Sequence, residues 1–128
     1  MADNGFPLQQ AVYQRLTAEL SVPVFDAVPA DTPYPYVTLD REVSRNTSPI
    51  SGRKRKLRLL YLSVWSDHQG QAEVKQILGQ IEDALDERPL ALSAGRAVSV
   101  RLVDTDTNRE PDGRTYMGSA TVRVITTT

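Results

Sequence analysis

The sequence predicts an α+β domain: a mostly antiparallel sheet carrying two helices on one face, in the order α-β-β-β-α-β-β-β. Three observations lead there. Two stretches repeat apolar residues with the helical period, most of the others alternate with period two, and Pro111-Asp112-Gly113 marks a tight hairpin before the last strand. Elements in that succession bury their apolar sides by packing one layer on another.

Residues 7–20 repeat Leu8, Val12, Leu16 and Leu20, with Ala11 alongside, which is the single apolar stripe of an amphipathic helix. Pro7 suits its first turn, where a missing N–H costs nothing, and Ser21-Val22-Pro23 stops it. Residues 24–28 read as a short strand. Pro29, Pro33 and Pro35 then keep the chain extended, because a residue before proline is pushed out of the α region. In residues 36–43, Val37, Leu39 and Val43 alternate with Thr38, Asp40 and Glu42, and Arg41 alone breaks the apolar side. Residues 44–52 are polar, contain Pro49 and Gly52 and have Ile50 as their apolar anchor, the pattern of a long mobile hairpin loop over about 44–53.

The return strand, residues 54–66, has Leu60, Leu62 and Val64 on one face and Leu57, Leu59, Tyr61 and Trp65 on the other, which predicts a central position. After the turn Asp67-His68-Gln69-Gly70, residues 71–88 carry a second helical stripe of Val74, Ile77, Leu78, Ile81, Ala84 and Leu85, ended by Pro89. Gly79 inside this helix costs about 1 kcal/mol relative to alanine. Close packing against a neighbouring strand would account for it. Leu90-Ala91-Leu92 and residues 96–104 read as two short strands across Ser93-Ala94-Gly95, with Val98, Val100 and Leu102 facing inward. The last strand, residues 114–126, alternates Tyr116, Ala120, Val122 and Val124 with polar neighbours.

At 128 residues the chain reads as one domain spanning 1–128, large enough to bury a core without a covalent staple. It contains no cysteine, which rules out disulfides, thiolate metal sites and thiol catalysis. Fifteen Lys plus Arg against sixteen Asp plus Glu leave a formal net charge of -1, so no global basic field draws the protein to nucleic acid or membrane. The N-terminus lacks the basic and apolar regions of a signal peptide, and no run of about 18 apolar residues occurs. A soluble protein without membrane partners is expected.

The residues that could carry chemistry do not converge. His68 is the single histidine, and Ser66-Asp67-His68 on one turn cannot supply the geometry of a hydrolase triad. Asp104, Asp106, Asn108, Glu110 and Asp112 resemble a calcium loop, but from Asp104 the required glycine and glutamate are Arg109 and Thr115, so a solvated loop is expected. The tyrosines and Trp65 follow the strand period and read as packing residues, and no glycine loop could cradle a phosphate. No cofactor, metal or enzymatic activity is predicted. The sharpest charge feature is Arg53, Lys54, Arg55, Lys56 and Arg58, read as a solvated strand start, a contact for an acidic partner or a contact for DNA phosphates.

The order of motifs resembles the tail-completion, or tail-terminator, family of long-tailed phages, also present in prophages and gene transfer agents. The matching elements are the N-terminal helix with Leu8, Ala11, Val12 and Leu16; Phe25-Asp26, Val28-Pro29 and Pro35-Tyr36-Val37; Val64-Trp65-Ser66; and Pro111-Asp112-Gly113-Arg114-Thr115. The resemblance covers nearly the whole chain. It implies a structural virion protein, assembled in the host cytoplasm, whose copies form a ring, commonly a hexamer. That ring would cap the tail tube, meet the major tail tube protein and the head connector, and let DNA pass through its lumen without sequence recognition. Combined with the residue reading, it makes the loop and its basic base the expected partner surface: Arg45, Asn46, Ser48, Ile50, Arg53, Lys54, Arg55, Lys56 and Arg58. The competing readings are a head-side connector or stopper protein, and a nucleic-acid-binding module using residues 53–58.

Overall fold

In the computed structural model, which describes residues 4–48, 52 and 54–128, helix α1 spans Gly5–Glu19 and buries Leu8, Ala11, Val12 and Leu16. Pro7 lies in its first turn, as expected. Leu20 turns extended and ends the helix. Strands follow as β1 (Val24–Phe25), β2 (Tyr36–Asn46) and β3 (Arg55–Ser66), then helix α2 (Ala72–Leu85) and strands β4 (Arg96–Arg109) and β5 (Tyr116–Thr127). The five-stranded sheet has the order β1-β2-β3-β5-β4, antiparallel except for the β1–β2 pair, with β3 in the middle.

Both helices lie on one face. Leu8, Val12 and Leu16 of α1 and Val74, Ile77, Ile81 and Leu85 of α2 meet Val37, Leu60, Leu62, Val64, Val122 and Val124 of the sheet in a single core. Arg15 of α1 ties the layer together, donating to the carbonyls of Ala84 (2.9 Å) and Pro89 (2.8 Å), where the last carbonyls of α2 lack helical partners.

Several expectations are corrected. Helix α2 stops at Leu85, before the residue 88 suggested by Pro89, because Asp86 is extended and accepts the Leu102 N–H at 2.8 Å while Glu87 adopts φ 55°. Leu90-Ala91-Leu92 is no strand; buried Leu90 anchors an irregular connection to the core. The described residues therefore hold five strands where six were expected. β4 instead runs past Asp104 to Arg109, so Asp104 and Asp106 belong to a strand and not to a loop. Register shifts between Ala97 and Ser99 and between Leu102 and Asp104 push Val98 and Val103 outward, to 53% and 48% exposure, so Val98 does not face the core.

A bulge also explains Arg41. The β2–β3 register shifts between Leu39 and Arg41, so Leu39 pairs with Leu62 on the helix-covered face, whereas Arg41 and Val43 pair with Tyr61 and Leu59 on the other. One extra residue moves the rest of the strand to opposite faces. Gly79 is corrected too: a Cβ there would meet nothing within 4 Å, and the close approach occurs at Gly118 of β5.

The β4–β5 hairpin is built as its turn residues require. Glu110 N–H donates to the Thr115 carbonyl (2.8 Å), Gly113 N–H to the Glu110 carbonyl (3.0 Å), and Gly113 takes φ 73°. Asp112 accepts the backbone N–H groups of Thr115 and Arg114 and the Thr115 hydroxyl, which holds its carboxyl below the usual carboxylate range. A carboxylate with a lowered folded pKa stabilises the hairpin above its unfolded pKa and loses that contribution as pH falls through the folded one. Asp112→Ala should therefore lower the thermal midpoint near neutral pH, with the gap to the native protein closing as the medium is acidified. A gap independent of pH would refute that role.

Candidate functional site

The helices cover one side of the mostly antiparallel sheet, and among the described residues no layer covers the other. Its middle is apolar: Leu57, Leu59, Tyr61 and Trp65 of β3 lie beside Ile125 and Met117 of β5, all half-buried. Arginines surround them. Arg41 and Arg45 come from β2, Arg55 from β3, Arg123 from β5, and Arg96 and Arg101 from β4. The Arg41 guanidinium lies 4.7 Å from the Tyr61 ring centroid. A single-layer face of this composition is suited to covering by another macromolecule, because its apolar centre is only half-shielded in the isolated chain.

At one end of this face β2 and β3 continue as a hairpin arm. Thr47 N–H donates to the Arg55 carbonyl (2.9 Å), and the Ser48 hydroxyl both accepts the Arg55 N–H (2.8 Å) and lies 3.1 Å from the Arg55 carbonyl. The loop expected from residue 44 is therefore shorter: Ser44, Arg45 and Asn46 pair with Arg58, Leu57 and Lys56. Arg45, Asn46, Lys54 and Arg55 are exposed, while Ser48 and Lys56 are intermediate. Ile50 and Arg53 lie outside the described residues.

Arg58 parts company with the others. Its side chain is 1% exposed, facing the helices at the root of the arm. Nε donates to Thr126 Oγ1 (3.1 Å), Nη1 to Glu42 Oε2 (2.6 Å) and Nη2 to Asn4 Oδ1 (2.9 Å). Asn4 in turn donates to the Thr127 carbonyl at 3.2 Å. The planar guanidinium suits such a three-way site better than an ammonium. The charge run is thus divided: Arg58 holds the fold, whereas Arg55 and Lys54 face solvent.

The opposite end of the open face is aromatic. Tyr34 stacks on Tyr36 at 5.3 Å and 7°, and Phe25 meets Tyr36 edge-on at 5.9 Å. Burial, then the neighbouring Tyr34, raises the Tyr36 pKa. Trp65 Nε1 donates to Thr38 Oγ1 (3.3 Å), and both Thr38 and Ser63 donate to Asp40. These residues close the sheet end. The His68 turn is likewise structural: Ser66 donates to Glu73 and accepts the His68 backbone N–H at 3.0 Å.

Among the described residues, no cluster of three or more His, Cys, Asp or Glu side chains could hold a metal, and no helix is long and apolar enough to cross a membrane. Sequence reasoning missed the open face itself, above all Arg41 and Arg123. Its signal was the apolar content of both faces of residues 54–66, which fits a strand with one face in the core and one facing outward.

No curated protein sequence matches the chain. A chain of the solved structure "Virion of native gene transfer agent (GTA) particle" has the same fold, with a TM-score of 0.89, 24% identity and 100% coverage of both chains. The family model for "Tail completion protein gp17" matches residues 10–127, from the first turns of α1 through the end of β5. With nearly its whole length accounted for in this way, the chain belongs to the tail completion protein gp17 family and is a structural protein of phage-type tails.

Proposed function

We propose that copies of this protein close into a ring, a hexamer as the resemblance implies, that caps the finished tail tube and joins it to the head connector. The observation that carries this reading is the two-part surface: a helix-free sheet face with an apolar centre and an arginine border, continued by the end of the β2–β3 hairpin, residues 45–48 and 54–56. The arm, with Arg45, Asn46, Ser48, Lys54 and Arg55, reaches a neighbouring copy or the tube protein. DNA passes the ring without being read, so arginines facing the lumen act through phosphate charge alone.

Mass measurement by native mass spectrometry, with and without tail tubes, tests the ring. A single closed species heavier than a dimer is expected, and a monomer under both conditions would refute it. Replacing residues 49–53 by Asn-Gly, a two-residue hairpin turn, tests the arm. The thermal midpoint should stay within a few degrees of the native value while joined particles disappear. Normal particle yields from that variant would remove the arm from the proposal.

A further inference from the structure

We infer that neighbouring copies in the ring are joined through the two free edges of the sheet, residues 41–46 of β2 in one copy pairing antiparallel with residues 104–109 of β4 in the next. This rests on the ring reading above. It adds which strands meet, in which direction and in what register.

The sheet ends in two unlike edges. β1 covers β2 at Val37 and Thr38 only, so the outer side of β2 is open beyond its bulge. β4 is the opposite edge; the segment after α2 covers it at Val100 and Leu102, where Glu87 N–H donates to the Val100 carbonyl and Asp86 accepts the Leu102 N–H, and among the described residues no strand pairs with the outer side of 104–109. Unpaired N–H and C=O groups of an edge strand form a template for another chain, and proteins commonly disrupt such edges with bulges. Here the bulges interrupt each edge incompletely. On β2 the irregularity ends at Arg41, and on β4 the last one ends at Asp104. What remains is one regular run on each edge, 41–46 and 104–109.

Direction and charge agree. β2, β3, β5 and β4 alternate in direction across the sheet, so a copy added in the same orientation brings its β2 antiparallel to the β4 already present. Such a contact is heterologous and can close a ring. Arg41, Val43 and Arg45 pair with Tyr61, Leu59 and Leu57, and Asp104, Asp106 and Asn108 pair with Thr121, Ser119 and Met117, so both rows lie on the helix-free face. Setting Val43 opposite Asp106 places Arg45 opposite Asp104 and Arg41 opposite Asn108, diagonal to Asp106. Every aspartate gains an arginine across the joint or on its diagonal. All four charged side chains are exposed, and among the described residues none of them enters an ion pair. The joined sheet would keep its helices on one side and its arginines on the other.

The absence of native cysteine makes the joint directly testable. In Val43→Cys/Asp106→Cys, oxidation should give a ladder of disulfide-linked multimers up to the ring mass, because facing strand residues meet disulfide geometry. Either single variant should give no ladder, and an equal mixture of the two should stop at linked dimers. A ring seen by native mass with no cross-link would overturn the edge joint and leave the ring standing. No larger species with or without tail tubes would overturn both. Charge reversal decides independently of the cysteines: Arg45→Asp should lose assembly and Arg45→Asp/Asp104→Arg should regain it. A double variant that stays monomeric while folded counts against the joint.

Discussion

Arg58→Ala is expected to destabilise the protein by about 2–3 kcal/mol, because it leaves the buried partners of a charged donor unpaired while the partly exposed Glu42 can turn to water. The magnitude follows from what the guanidinium leaves behind. Thr126, 1% exposed, and Asn4, 5% exposed, lose a charged donor, and Glu42, with its side chain 27% exposed, loses its cation. Buried polar groups without partners add their own desolvation cost. Arg58→Lys should fall between, since an ammonium keeps the charge but not the planar fork. Arg58→Met should recover part of the loss when paired with Glu42→Leu, because an apolar replacement of both partners removes the uncompensated charge. Urea midpoints at constant slope provide the measurement. A loss below about 1 kcal/mol for the alanine variant would mean that Arg58 is no more than a surface cation.

Gly118→Ala is expected to destabilise by about 1–3 kcal/mol through overpacking. A Cβ at Gly118 would stand 2.5 Å from Val74 Cγ1 and 3.0 Å from Leu78 Cδ1, so α2 would have to lift from β5. The same substitution at Gly79 serves as the internal control. Its Cβ would meet open space, and alanine should stabilise the helix by up to about 1 kcal/mol. Combining Gly118→Ala with Val74→Ala separates packing from strand propensity. The pair should be less destabilised than the sum of the two singles, since each relieves what the other disturbs. Strict additivity would place the cause elsewhere.

Both helices, the central position of residues 54–66 and the Pro111-Asp112-Gly113 hairpin were legible in the sequence, because each carries a local period or a turn residue with a fixed backbone demand. What escaped was set by register. Asp40 is an ordinary strand residue in sequence, yet the bulge beside it transfers Arg41 and Val43 to the open face. Residues 104–109 looked like loop because they are polar, but an edge strand with one uncovered face tolerates polar residues. Arg58 sat inside a run of cations, and only the approach of Asn4 and Thr126, distant in sequence, makes it a core residue. Arg45 and Arg55 of the charged segment are exposed, while the arginines contributed by β4 and β5 share their face of the sheet only through the fold.

The root of the arm has a further consequence, in time rather than in space. Asn4 precedes α1, Thr126 lies in β5, the last strand of the sheet to be made, and Arg58 needs both. A nascent or truncated chain that has made β2 and β3 but not β5 lacks the anchor that stiffens the hairpin. Closure of the sheet by β5 and stiffening of the β2–β3 hairpin are therefore one event, because the Arg58 anchor is complete only once both have formed.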